Sequence, residues 1–165
     1  AAGKALVEAT VGAARAAPAI QKWALITGPN LPQPDFDAAL RNAPKNLSVY
    51  RFRRDFPSLL TGAELSVSQA GYNTVCDILR AGCRSLLVPF AEGGETEQTS
   101  RAERLARMRL ASVVSETELT SQSLSNAVQN ALSQPPPPSN ALDLSGAEKT
   151  AKVLLDRWHK FKNRQ

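Results

Sequence analysis

The sequence is short of most residues that carry chemistry on their own. It holds two cysteines, one histidine and one methionine among 165 residues. Cys76 and Cys83 cannot form a disulfide framework, and with the lone His159 they give no cluster at metal-ligand spacing. A stapled scaffold and a metal centre are both unexpected. Aromatics amount to 5%, few for a surface that stacks nucleic-acid bases. No apolar run approaches the roughly 18 residues that would cross a bilayer, and no charged-then-apolar leader opens the chain. The expected setting is cytoplasmic and reducing.

What is present is ordinary in amount and uneven in distribution. The chain is 42% hydrophobic and 21% charged, with a net charge of +5. From Lys149 to Gln165 stand six basic residues and one acid, Asp156, which accounts for the whole net charge. A basic tail of this kind suits an anionic membrane surface or RNA. The plainer reading is a solvated helix end, where cations also oppose the macrodipole. Because the rest of the chain is balanced, nucleic acid is not an expected partner.

Short apolar runs alternate with helical patterns. Gly3 to Ala17 is Ala-rich, with Leu6, Val7, Val11 and Ala14 on one face, and Pro18 closes it. Strands are expected at Trp23–Thr27, Leu47–Phe52, Leu65–Ser68, Ser85–Val88 and Ala111–Val114. Helices are expected between them at 35–42, 56–62, 73–81 and 96–108, the third stopped by Gly82. Strands separated by helices indicate βα units and a parallel sheet, and near-continuous apolar strands fit a sheet covered on both faces. The fold class is α/β, a Rossmann-like doubly wound parallel sheet whose first strand is missing, since the chain opens on a helix. Leu119–Leu132 adds a helix with Leu124, Ala127, Val128 and Ala131 at core spacing. Residues 1–134 form the main domain, and 135–145 a linker stiffened by Pro135 to Pro138. Residues 146–165 form an amphipathic helix, with Val153, Leu154, Trp158 and Phe161 on a stripe expected to pack on the same domain.

In open α/β sheets ligands sit beyond the carboxyl ends of the strands. Three loops there stand out. Ser68-Gln-Ala-Gly-Tyr-Asn-Thr74 leads from a strand into a helix whose free N–H groups suit an anion; Gly71 permits close backbone approach and Thr74 adds a hydroxyl. Asp77, three residues on, can accept from a sugar diol. Equally open is the plainer reading of Gly71 as a turn glycine and Asp77 as an acid facing the helix dipole. Pro89 to Gln98 couples a Gly93–Gly94 pair to Glu92, Glu95, Glu97 and Gln98, whose acids and amides suit hydroxyl-rich ligands. Its plainer reading is a capped helix start. Ala1-Ala-Gly3-Lys4 is no P-loop, because Ala5 follows the lysine.

Ala63 to Thr74, then Leu86-Leu-Val-Pro-Phe90, then Glu97-Gln98 and Arg101-Ala102 together resemble the C-terminal, donor-binding domain of the family-28 glycosyltransferases of GT-B type. These include the peptidoglycan lipid-precursor N-acetylglucosaminyltransferases. The likeness is most specific over residues 47–110, and the Gly93-Gly-Glu-Thr-Glu-Gln98 stretch is similar to a bacterial group of predicted glycosyltransferases. The resemblance implies a UDP-sugar as ligand, no cofactor and no metal. It implies that Phe52 and Arg53 read the uracil edge, and that Ala70, Gly71, Tyr72, Asn73 and Thr74 embrace the diphosphate. Asp77 takes the place of a ribose-binding glutamate. Glu97 and Gln98 contact the sugar, with Arg101 where the family often has Asn, and Gly3 ends a Gly-rich loop below the pyrophosphate. Two departures affect the turns: Cys83-Arg84 replaces an apolar-Pro pair, and Arg109 stands where a glycine normally follows the helix.

Transfer also needs a general base. His159 lies in the basic tail, Glu92 and Glu95 have only their position to recommend them, and the resemblance implies a base from an N-terminal acceptor domain. The chain alone is therefore expected to bind donor without transferring sugar, its acceptor domain supplied in cis or in trans at the inner face of the membrane. A non-catalytic module docking on a separate acceptor partner is the alternative. An epimerase of the same fold would need a histidine in the cleft.

Overall fold

In the computed structural model, the described residues are 3–20, 22–91, 96–138 and 143–162. Helix α1 (Lys4–Ala16) starts from Gly3, whose φ of 88° lies in the left-handed region that glycine tolerates. Asn46 Nδ2 donates to the carbonyl oxygens of Ala14 and Ile20 (3.0 and 3.1 Å), tying off the end of α1. The chain continues through β1 (Trp23–Ile26), α2 (Gln33–Asn42), β2 (Leu47–Tyr50) and α3 (Phe56–Gly62). Then come β3 (Ser66–Ser68), α4 (Tyr72–Ala81), β4 (Ser85–Leu87), α5 (Glu97–Arg107) and β5 (Ser112–Val113). A 3-10 turn (Glu116–Glu118) precedes α6 (Ser121–Ser133), which is opened by a capping box between Thr120 and Ser123. Helix α7 (Gly146–Lys162) ends the described chain.

The expected α/β order is present and every strand pair is parallel. The ladder, however, comes in two pieces: β1 pairs with β2, while β3, β4 and β5 form a separate sheet in that order. Trp23 stands opposite Leu47 in the first, and Val67 opposite Leu86 in the second. Both are roofed by α1. Its Val7, Val11 and Ala14 join Leu25, Leu31, Ala39 and Leu47 in one cluster, whereas its Ala9 and Ala13 join Leu86, Leu124 and Val128 in another. A third cluster lies on the opposite face of β4, where Leu87 meets Leu60, Val75, Ile78 and Leu105.

Burial on both faces holds for β4, all of whose residues are buried, but not for the two-stranded sheet. There Ala24 and Ser48, paired across the ladder, are exposed. The expected packing of the last helix on the domain is also not seen. Every residue of α7 is exposed, with Leu154 at 63% and Trp158 at 56%. The physical reason lies in the cores: α6 already covers the face of β4 with Leu124 and Val128, leaving the α7 stripe no apolar partner there.

Candidate functional site

The carboxyl ends of the parallel strands gather the loops singled out in the sequence. Helix α4 starts at Gly71, which is extended (φ −62°, ψ 143°) and makes no side-chain cap. The Val75 N–H donates to the Gly71 carbonyl (3.0 Å), so the N–H groups of Tyr72, Asn73 and Thr74 lie ahead of the first helical bond. A Cβ built on Gly71 meets none of the described residues within 4 Å, so among them the backbone borders open space. An ordinary φ with empty space at Cβ means no turn here requires a glycine. What the glycine preserves is access to the backbone.

Arg101, from the first turns of α5, fixes this loop. Its Nη1 donates to the carbonyl of buried Ala70 (2.6 Å), its guanidinium lies 5.8 Å from the Tyr72 ring centroid, and Nη2 is 3.7 Å from Glu97. Its strongest contact is therefore with the chain itself. Gln98 also braces a loop, its Oε1 accepting from the Phe90 N–H (3.2 Å), which leaves the amide donors of Gln98 for other partners. Thr96, the residue before α5, makes no side-chain cap either. Tyr72 is 67% exposed, Asn73 is exposed, and Thr74 is half-buried. Asp77 is half-buried on α4, 3.7 Å from the exposed Arg80.

Gly3 reaches the same end of the molecule, since its Cβ position lies 3.9 Å from Gln69 Nε2. Gln69 Nε2 and Ser68 Oγ are both buried and have no hydrogen-bond partner among the described residues, which is costly in a closed core and informative beside a ligand cleft. Both residues belong to the Ser68–Thr74 motif, where the sequence alone suggests no role for them. Their signal is a polar pair that closes β3 just ahead of the Gly71 turn.

Phe52 and Arg53 follow β2, on the two-stranded sheet. Phe52 is 68% exposed. Arg53 holds Asp55 through two hydrogen bonds (2.8 and 2.6 Å), and its guanidinium lies 4.7 Å from the Tyr50 ring centroid. That pairing raises the Arg53 pKa and lowers that of Asp55. Neighbouring Arg51 donates to the Leu31 carbonyl (2.5 Å) and stacks on Phe36, anchoring the loop that follows β1. The contacts described above join Gly3, Ala70, Tyr72, Glu97 and Arg101 around the β3–α4 loop, and none of them reaches Phe52 or Arg53. Glu92, Gly93, Gly94 and Glu95 lie outside the described residues. His159 is exposed on α7.

A shallow groove lies elsewhere, between α1 and α2, lined by Lys4, Glu8, Arg15, Asp35 and Asn42 among others. Among the residues expected at the site, none lines it. Among the described residues no three His, Cys, Asp or Glu side chains group as metal ligands, and no helix is long and apolar enough to cross a membrane.

This arrangement of loops has counterparts in known proteins. The chain is 32% identical over 123 residues to the UDP-N-acetylglucosamine--N-acetylmuramyl-(pentapeptide) pyrophosphoryl-undecaprenol N-acetylglucosamine transferase of an Exiguobacterium species. That match covers 73% of this chain and 34% of the relative. The enzyme of the same name from Phenylobacterium zucineum is 36% identical over 97 residues, covering 59% of this chain and 27% of the relative. The chain thus spans about a third of the length of the curated relatives it matches. Among solved structures, Acinetobacter baumannii MurG superposes with a TM-score of 0.65 at 25% identity, over 77% of this chain and 37% of that one. The calicheamicin glycosyltransferase CalG4 shares the fold, with a TM-score of 0.60 at 23% identity over 78% of this chain and 31% of its own. The model of the glycosyltransferase family 28 C-terminal domain matches residues 3–156. The chain belongs to that family of glycosyltransferase domains.

Proposed function

We propose that the chain is the donor-binding part of a hexosyltransferase and holds the diphosphate of a UDP-sugar at the start of α4. The observation that carries this reading is the uncapped helix start at Gly71, with open space over its backbone. Free N–H groups and the positive end of a ten-residue helix stabilise a dianion without a counter-cation, and they stabilise the departing UDP in the same way. Gly3, beside Gln69, brings the start of α1 to the same place. In this reading Asp77 takes the ribose hydroxyls, Glu97 and the amide donors of Gln98 take the sugar, and Phe52 and Arg53 take the uracil edge. No general base is assigned, and acceptor and base come from a partner domain in cis or in trans. The setting that fits is cytoplasmic, at the inner membrane face.

Calorimetric titration with UDP, UDP-sugars and other nucleoside diphosphates tests this reading. Uridine species should bind best. Thr74→Val and Asp77→Ala should each weaken binding by roughly five- to tenfold, the worth of one or two hydrogen bonds. Unchanged affinity in both variants would move the site elsewhere.

A docking module is the second reading, favoured by the fully exposed stripe of α7 and its basic residues. Here the helix seats on an acceptor-domain partner or an anionic membrane. Co-purification with such a partner, lost when Trp158 and Phe161 become Ser, would support it.

A further inference from the structure

A helix start offers one donor beyond its own first turn, the N–H of the residue that precedes it. In a capping box that N–H is taken by the side chain at the third helical position. In α4 these residues are Gly71 and Thr74, and no such bond forms between them. Among the described residues the Gly71 N–H has no hydrogen-bond partner. Its direction is set by the other half of the same peptide. In a planar trans peptide C=O and N–H point opposite ways, so whatever holds the Ala70 carbonyl also aims the Gly71 N–H. Arg101 holds it: Nη1 donates at 2.6 Å and is its only donor among the described residues.

This latch is firm at both ends. Ala70 is fully buried, so its carbonyl, left unpaired, would be destabilising. Ala102 and Leu105 pack with Ala70, Val75 and Ile78, which fixes the stretch of α5 from which the arginine extends. The Arg101 side chain is 24% exposed and lies against the Tyr72 ring, and its 3.7 Å approach to Glu97 is too long for a hydrogen bond. Glycine makes the latch necessary. With no Cβ, Gly71 accepts either sign of φ, so a released 70–71 peptide turns over easily. Turned over, it presents a carbonyl oxygen where an anion needs a donor.

Resting on the donor-site reading above, we propose that Arg101 is a positioning residue for the diphosphate. Through the Ala70 carbonyl it locks the 70–71 peptide and adds the Gly71 N–H to those of Tyr72, Asn73 and Thr74. Arg101 itself touches no ligand. Its effect falls on the phosphates and spares the nucleoside, because Phe52 and Arg53 follow β2 on the other sheet.

The test compares inorganic pyrophosphate, UDP and uridine on the wild-type chain, Arg101→Met and Arg101→Lys, by calorimetry and backbone amide NMR. Arg101→Met should weaken pyrophosphate and UDP by roughly tenfold, the worth of one hydrogen bond to a charged group, and leave uridine unchanged. In the wild type the Gly71 amide should shift downfield on pyrophosphate binding. Arg101→Met should lose that shift while Thr74 keeps its own. Arg101→Lys, which retains a charged donor, should recover part of both losses. Should Arg101→Met fail to fold, Arg101→Gln, neutral and shorter, replaces it with the same expectation. Equal losses for uridine and UDP would mean general loosening, and an unaltered Gly71 shift would mean that the peptide needs no latch; either overturns the proposal. Wild-type binding that persists unchanged in Arg101→Met would sink the latch alone. A wild-type chain silent to both UDP and pyrophosphate would sink the donor reading, and the latch with it.

Discussion

The two sheets of this domain are made from the same kind of βα unit yet differ in how completely they are enclosed. Strand β4 has neighbours on both edges and clusters on both faces, Leu86 on one and Leu87 on the other, each 1% exposed. Strand β1 has one neighbour and one covered face, with Leu25 beneath α1 and α2 and Ala24 in solvent. The difference shows where fold and site draw their rigidity. The β3–α4 loop springs from the enclosed sheet and is braced from α5 by Arg101, while the Phe52–Arg53 segment springs from the open one and is held by its own Asp55.

The largest expected effect comes from breaking the enclosed side. Leu86→Ala should cost about 3–5 kcal/mol, the range for a buried leucine that leaves a cavity in a site unable to collapse. Ile26→Ala, on the open side and half-buried, should cost about 1 kcal/mol. Urea denaturation of both variants measures the gap. Equal losses would mean that the open sheet is as tightly packed as the enclosed one.

A second perturbation acts on the element the two sheets share. Gly12 sits where α1 crosses α6, and a Cβ there would stand 2.5 Å from Ser121 Cβ, too close for any rotamer to relieve. Alanine normally gains up to about 1 kcal/mol over glycine inside a helix. Here the overlap should win, for a net loss of about 1–3 kcal/mol. Because α1 roofs both sheets, Gly12→Ala should speed amide exchange in β1 and in β4 alike, and Ser121→Gly should restore most of the loss. Exchange that quickens on one side only would show that α1 does not couple them.

Much of this comparison was legible in the sequence, but not its division. Element order followed from apolar runs such as Trp23–Thr27 and Ser85–Val88, and from the stop at Gly82, because these are local signals. Pairing is not local. No residue in β1 or β3 announces which strand lies beside it, so the split ladder became visible only in three dimensions. The stripe of α7 was legible as a need for burial, and the helix formed, but a stripe does not name the surface that receives it. At the site, the motif from Ser68 to Thr74 was readable because its glycine and hydroxyl residues interrupt an apolar pattern. The role of Arg101 was not, since its hydrogen bond to the Ala70 carbonyl joins residues 31 positions apart.

The smallest effect sharpens the contrast by improving the already enclosed side. Helices α4 and α5 end in the same way. In each, an N–H just past the helix reaches back to a carbonyl five residues earlier, Cys83 to Ile78 (3.3 Å) and Leu110 to Leu105 (2.9 Å). Between these bonds sits a left-handed residue, Gly82 at φ 66° in the first and Arg109 at φ 57° in the second. For an L side chain that region costs roughly 1–2 kcal/mol, whereas glycine pays about 0.5–1 kcal/mol in added unfolded-state freedom. The strain should prevail, because Arg109 is exposed and its side chain contributes little packing. Arg109→Gly should therefore stabilise by about 0.5–1 kcal/mol and raise Tm by about 1–4 °C, while the mirror change Gly82→Ala should destabilise by about 1 kcal/mol. Opposite signs in the two variants would show that backbone conformation, not the local sequence around it, sets the stability of these helix stops. A lowered Tm in Arg109→Gly would mean that the arginine makes a contact outweighing its strain.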